Sequence, residues 1–322
     1  MLVRATGYLT DDLCLLTLGN SCHYLAGYSR SSAASGTPLL LLFDCCLSVQ
    51  FPLLLQRLAH IGVQPRDIAG VALTHLHVDR IGALPLLRRL NPDLKVYGSP
   101  QLKTLLGNAS IIKRIYDEDL LLSNAYTTLE TPERPALDEY SELLQVTDTV
   151  RGGDSMQIDQ DCSARVVSLP GHTAESLAYF LQPNHFLIAD EVLGYYRPGQ
   201  LAGPAGDHSL DLLKVSLQQV QRLEVAGLGL TNHGTITGKL VSSYLQGLLQ
   251  GINDLQFEAL GAHGDGVSDD DIRQAIWEAF YAGEPQDHLS QHARTESFEK
   301  TWKQLLVERK LRAITEKSAC GE

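Results

Sequence analysis

The segment Leu73-Thr74-His75-Leu76-His77-Val78-Asp79-Arg80 concentrates the residue types that bind metals. His75 and His77 are two residues apart at the end of an apolar run, so an extended backbone points both imidazoles to one side. Asp79 continues that spacing at the turn. Neutral imidazole beside a carboxylate is the donor set of zinc and its first-row neighbours. HxHxD alone also fits two histidines satisfied by backbone groups at a strand end. Three further places put a possible donor at a strand-to-loop junction, where a scaffold projects side chains into a cleft. They are Leu169-Pro170-Gly171-His172-Thr173, Ile188-Ala189-Asp190 and Thr231-Asn232-His233-Gly234. The glycines permit sharp turns beside a ligand. His60, His185, His208, His263, His288 and His292 lack such a setting and read as surface or core residues.

Strands must end at those junctions. Apolar runs at Leu13–Leu18 and 39–43 read as strands, with the small-residue stretch 29–37 as a turn between them. A helical pattern covers 49–61, and a strand at 68–74 leads into the histidine motif. A second helix is expected from about Asp79 to Leu90, burying Leu84, Leu86 and Leu87. Pro85 fits only a first helical turn, which moves the expected start a few residues later. After a short strand at 96–98, residues 101–148 read as a mainly helical insertion. Strands resume at 155–158, 164–169, 178–181 and 185–189, and beyond about residue 208 the pattern is helical almost to the end. Leu240, Tyr244, Leu248 and Ile252 share one helical face, as do Phe298, Trp302, Leu305 and Leu306. The glycine-rich stretch 261–268 separates two helical blocks. The expected class is α/β (α+β), with one domain over 1–238 and a helical C-terminal extension over 239–322.

Of 322 residues, 44% are hydrophobic and 20% charged, the balance of a globular chain with a full core, which excludes disordered, collagen-like and coiled-coil classes. The 26 Lys+Arg against 38 Asp+Glu give a net charge of −12, so nucleic acid is not an expected partner. The apolar runs are far shorter than the ~20 residues of a membrane-spanning helix, so no membrane is expected. Asp11 and Asp12 sit where a signal peptide would have its apolar stretch. Cys14, Cys22, Cys45, Cys46, Cys162 and Cys320 form no CxxC pair and read as reduced thiols, so a cytoplasmic location is expected.

In order, THLHVDR, PGHT, the aspartate after a strand and NHG resemble the metal-binding motif series of the metallo-β-lactamase superfamily. Residues 20–25 are similar to that family's first β-hairpin, and Leu42-Phe43-Asp44 to its aspartate-containing strand. Arg151-Gly152-Gly153-Asp154 is similar to the turn before its PGHT strand. The resemblance covers roughly residues 8–238. It implies a four-layer αβ/βα sandwich with a metal site at one edge of two facing sheets. It also implies two divalent metal ions, zinc first, with iron or manganese as alternatives. His75, His77 and His172 would hold one ion, Asp79 and His233 the other, with Asp190 bridging. The implied chemistry is attack by a metal-bound hydroxide, with Asp79 and Asp190 as the catalytic carboxylates, on an ester, thioester or lactone of a small metabolite.

Most hydrolases of that superfamily continue HxHxD with a second-metal histidine, where this chain has Arg80. A guanidinium has no lone pair to offer, so the second site is expected to be weak. Arg80 either pairs with Asp79 or an anionic substrate group, or packs at the helix start and salt-bridges outward. Tyr195 and Tyr196, with Arg197, follow Asp190 closely and are candidates for the substrate pocket, or for rim packing. The start Gly7 to Leu16 and the helical tail are similar to the PqsE-type quinolone-signal response thioesterases of pseudomonads. In those relatives C-terminal helices cover the active-site entrance and help form a dimer, so a homodimer is expected. Two other readings are a phosphodiesterase or nuclease of the same fold, which would need a basic groove, and a regulatory protein that keeps the metal site but acts through protein contacts.

Overall fold

The computed structural model describes residues 1–322 except 20, 28–39, 125, 127–128, 131, 160, 195, 197–204, 206, 233, 262–266, 282–294 and 308–322, and leaves out the side chains of 258–261. The expected turn at 29–37 therefore lies outside the described residues. The chain divides into two compact units. The first comprises Met1–Leu169, Glu175–Asp190 and Glu224–Val241; the second comprises Pro170–Ala174, Glu191–Leu223 and Ser242–Glu322.

Two seven-stranded sheets build the first unit. One begins as an antiparallel meander of β2 (Gly7–Tyr8), β3 (Leu13–Leu18), β4 (Ser21–Ala26) and β5 (Leu40–Phe43). It continues in parallel through β6 (Ile68–Ala72), β7 (Lys95–Gly98) and β8 (Asp148–Thr149). Parallel neighbours need crossovers. Helix α1 (Phe51–His60) supplies the first, α2 (Val78–Ile81) and α3 (Leu84–Leu90) the second, and α4 (Pro100–Leu106), α5 (Ala109–Asn124) and α6 (Leu137–Leu143) the third.

The other sheet runs in the order β1 (Leu2–Val3), β14 (Thr235–Thr237), β13 (Gly227–Gly229), β12 (Phe186–Ile188), β11 (Leu177–Gln182), β10 (Ser163–Ser168) and β9 (Ser155–Gln157). Leu13, Leu15, Tyr24 and Phe43 of the first sheet pack with Val166, Tyr179, Leu181, Phe186 and Ile188 of the second. Strands of this kind are apolar enough to be recognised as short runs.

The structure corrects the sequence reading in three places. The expected helix at 79–90 is two helices, and Gly82 sits between them because a Cβ there would lie 2.6 Å from Asp119 Oδ1. Pro85 falls in the first turn of α3, where its missing N–H costs nothing. Residues 227–229 and 235–237 are not helical but form β13 and β14.

The second unit is helical: α7 (Leu210–Arg222), most of α8 (Leu240–Gly261), α9 (Asp269–Ile276), a π-turn at Trp277–Tyr281, and a helix α10 at 295–307. The buried face of α8 is Leu245, Leu248, Ile252 and Leu255, whereas Leu240 is exposed, which is the third correction. Phe298, Trp302 and Leu305 are buried on one face of α10, and Phe298 stacks edge-on against Trp277 at 5.1 Å between ring centroids. Among the described residues, no helix is long and apolar enough to cross a membrane.

Candidate metal centre

In the first unit the histidine motif hangs from the end of β6. Thr74 is locked to Asp44, its amide to Oδ1 at 2.7 Å and its hydroxyl to Oδ2 at 2.8 Å. Asp44 holds a left-handed φ of 58°, which turns its carboxylate onto the neighbouring strand end. Because Thr74 Oγ1 gives its proton to Asp44, it must accept from His75 Nδ1, 2.9 Å away. His75 Nε2 therefore keeps its lone pair, the tautomer a metal requires. The His77 ring stands edge-on to that of His75 with centroids 4.5 Å apart, and His77 is also the N-cap residue of α2. Asp190, at the end of β12, places Oδ2 3.9 Å from His75 Nδ1 and accepts the Ser176 hydroxyl.

Arg80 has no exposed surface. Its Nη2 lies 2.6 Å from Asp79 Oδ2, its Nη1 donates to the Thr231 carbonyl at 3.3 Å, and its own carbonyl accepts the Cys45 amide. Of the arrangements considered from the sequence, the guanidinium takes the inward one, paired with Asp79. Next to it His23 is fully buried, with Nε2 3.1 Å from Ser21 Oγ. Burial, and then the Arg80 charge, push the His23 pKa down to about 3, so this imidazole is neutral.

In the second unit His172 sits in a turn clamped to the start of α7. The Gly171 carbonyl accepts the amides of His208 and Ser209 at 3.1 and 3.0 Å, and Ser216 Oγ donates to the Pro170 carbonyl at 2.6 Å. Gly171 has φ 144°, and a Cβ there would lie 2.5 Å from the Leu213 backbone, so the turn accepts only glycine. His172 Nδ1 lies 3.0 Å from the Ala205 carbonyl, which can only accept, so Nδ1 carries the proton and Nε2 the lone pair. Glu191 Oε2 is 3.3 Å from that Nε2. Sequence reasoning passed over Glu191, although an acidic pair at the end of a strand was visible in Asp190-Glu191.

His75, His77, His172 and Glu191 each offer a metal-ligating atom. The histidine tautomers fit a divalent cation, and a buried carboxylate is a suitable anionic partner. His233 and Tyr195 lie outside the described residues. Tyr196 is half-buried with its ring 5.9 Å from that of Tyr244 on α8.

Residues 39–189 match the metallo-beta-lactamase superfamily. The fold is similar to that of an archaeal metallo-β-lactamase superfamily protein from Sulfolobus tokodaii (TM-score 0.57, 16% identity, 92% of this chain and 98% of that one). It is also similar to a metallo-β-lactamase family protein from Thermus thermophilus (TM-score 0.62, 17% identity, 92% of this chain and 95% of that one). A third similar structure is a β-lactamase domain protein from Burkholderia ambifaria (TM-score 0.60, 16% identity, 95% of this chain and 90% of that one). In sequence, 68 residues are 41% identical to ribonuclease J of Mycobacterium tuberculosis, which is 19% of this chain and 12% of that protein. The chain thus spans about an eighth of the length of the curated relatives it matches, 12%. The chain therefore has the fold of metallo-β-lactamase superfamily proteins, and residues 39–189 match that superfamily in sequence.

Proposed function

We propose that this protein is a metal-dependent hydrolase of an ester, thioester or lactone in a small metabolite. Its ligands in this reading are His75, His77 and His172 for one ion, Asp79 and His233 for a second, weaker one, and Asp190 between them, with Glu191 as a further donor beside His172. The observation that carries the reading is the pair of fixed tautomers: Thr74 holds His75, and Ala205 holds His172, each with Nε2 left to coordinate. When bound, a divalent ion, zinc first and iron or manganese otherwise, would lower the pKa of a water and polarise the scissile carbonyl oxygen. Asp79 and Asp190 are the carboxylates able to orient that water and take its proton, Asp79 steadied by Arg80 and Asp190 by Ser176. No serine or cysteine nucleophile is then needed. The net charge of −12 favours a small substrate over a polyanion. By the same resemblance we propose a homodimer, to be measured by light scattering.

The test is elemental analysis of protein purified without added metal, followed by His77→Ala and His172→Ala. Both variants should lose metal and at least ~10²-fold of the turnover of p-nitrophenyl esters, acyl thioesters or lactones. Metal and turnover retained in either variant would remove that residue from the ligand set. The ribonuclease J match favours a second reading, a nuclease. Cleavage of labelled RNA, with no turnover of any ester, thioester or lactone, would replace the first reading with the second.

A further inference from the structure

Asp207 lies in the loop before α7, with its side chain 7% exposed. Its Oδ1 is 3.7 Å from His172 Nδ1, close beside the Ala205 carbonyl that takes that nitrogen's proton. The rest of its carboxylate is held from α10, about ninety positions along the chain. Ser297 Oγ donates to Oδ1, and Lys300 Nζ donates to Oδ2 at 3.0 Å. Lys300 is in turn steadied by Glu296 at 3.1 Å. A second tie joins the same two elements, because Gln304 Oε1 accepts the Leu210 amide at the start of α7 at 3.1 Å. All these residues belong to the second unit.

A buried carboxylate without a cation or hydroxyl to hold it is costly, so its charge must be matched where it sits. Here α10 supplies the match, while the carboxylate faces the ring nitrogen of His172 that points away from Nε2. At 3.7 Å Asp207 takes no hydrogen bond from Nδ1, whose N–H goes to Ala205, so it acts through its charge beside the ring, which favours positive charge there and raises the basicity of a ligating histidine.

We propose that Asp207 is a positioning residue for His172, and that Ser297 and Lys300 of α10 hold it in place, so that α10 supports this ligand. The proposal rests on the reading of His172 as a ligand. The ligand whose affinity the arrangement tunes is a divalent cation with a preference for imidazole.

The experiment measures zinc affinity by competition with a chromophoric chelator in the full-length protein, together with the visible spectrum of its cobalt-substituted form. Asp207→Asn should weaken zinc binding by roughly 10–100-fold. Lys300→Met combined with Ser297→Ala should weaken it several-fold, with the circular dichroism of the metal-free protein unchanged and its melting temperature lowered by the loss of Asp207's partners. Lys300→Arg should restore affinity. The cobalt bands should shift in Asp207→Asn and in the double variant but not in Lys300→Arg. Should Asp207→Asn fail to fold, Lys300→Met alone carries the test, since Lys300 is 35% exposed and its loss leaves the core intact. Zinc affinity and cobalt spectrum unchanged in these variants, while His172→Ala loses the ion, would overturn the positioning role and leave the ligand reading standing. Zinc bound normally by His172→Ala would overturn both.

Discussion

Arg80 is a guanidinium with no exposed surface whose principal partner is one carboxylate, so the pair must be considered as a unit. Removing one member of a buried pair leaves the other charged and desolvated, at a cost of roughly 3–5 kcal/mol. Arg80→Met should lower the stability of the metal-free protein by that amount in urea unfolding; an unchanged midpoint would mean that Asp79 is satisfied without it. His23 gives the pH counterpart. Its folded pKa of about 3 lies below the ordinary 6.5, so the unfolded chain binds the extra proton first as pH falls. The stabilisation is complete above pH 6.5 and is lost progressively below it. Between about pH 8 and about pH 5 His23 alone should cost about 2 kcal/mol. His23→Gln should remove that part of the slope, read as the difference between the two proteins' unfolding curves at each pH.

At the scale of elements, glycine decides where the sequence could be read. Strands such as Leu13–Leu18 announce themselves as apolar runs, and PGHT and HxHxD mark the strand ends that carry donors. Strand β13 is Gly-Leu-Gly and sends no such signal, yet it needs its glycines. A Cβ on Gly227 would lie 2.4 Å from the Phe186 ring, and one on Gly229 2.9 Å from Tyr24. Gly227→Val should therefore cost roughly 1–3 kcal/mol by overpacking. Combining it with Phe186→Leu should recover part of that loss in thermal melts, and no recovery would place the strain elsewhere. The break between α2 and α3 was hidden for a related reason: Gly82 serves Asp119 on α5, a contact between distant parts of the chain that no local pattern reports. Glu191 and Asp207 escaped notice because their partners are fixed by the turn around His172 and by α10, not by neighbours in sequence.

Across the whole molecule, Cys14, Cys22, Cys45, Cys46 and Cys162 are buried and present as thiols. Burial pushes Cys14 and Cys22 up to about 11 and Cys162 up to about 12, so little thiolate forms near neutrality. These cysteines should resist a disulfide reagent at mildly alkaline pH in the native protein and react together once urea unfolds it. Fast labelling of any one in native protein would contradict its burial.

The turn that presents His172 has a kinetic consequence. Its Gly171 carbonyl is shared by two amides at the start of α7, and the Ser216 hydroxyl of the same helix grips Pro170. His172 can swing away only when that first turn frays. Deuterium uptake at the amides of His208 and Ser209 thus reports the same opening through which an ion held by His172 would depart, tying the residence time of the metal to the breathing of a helix end.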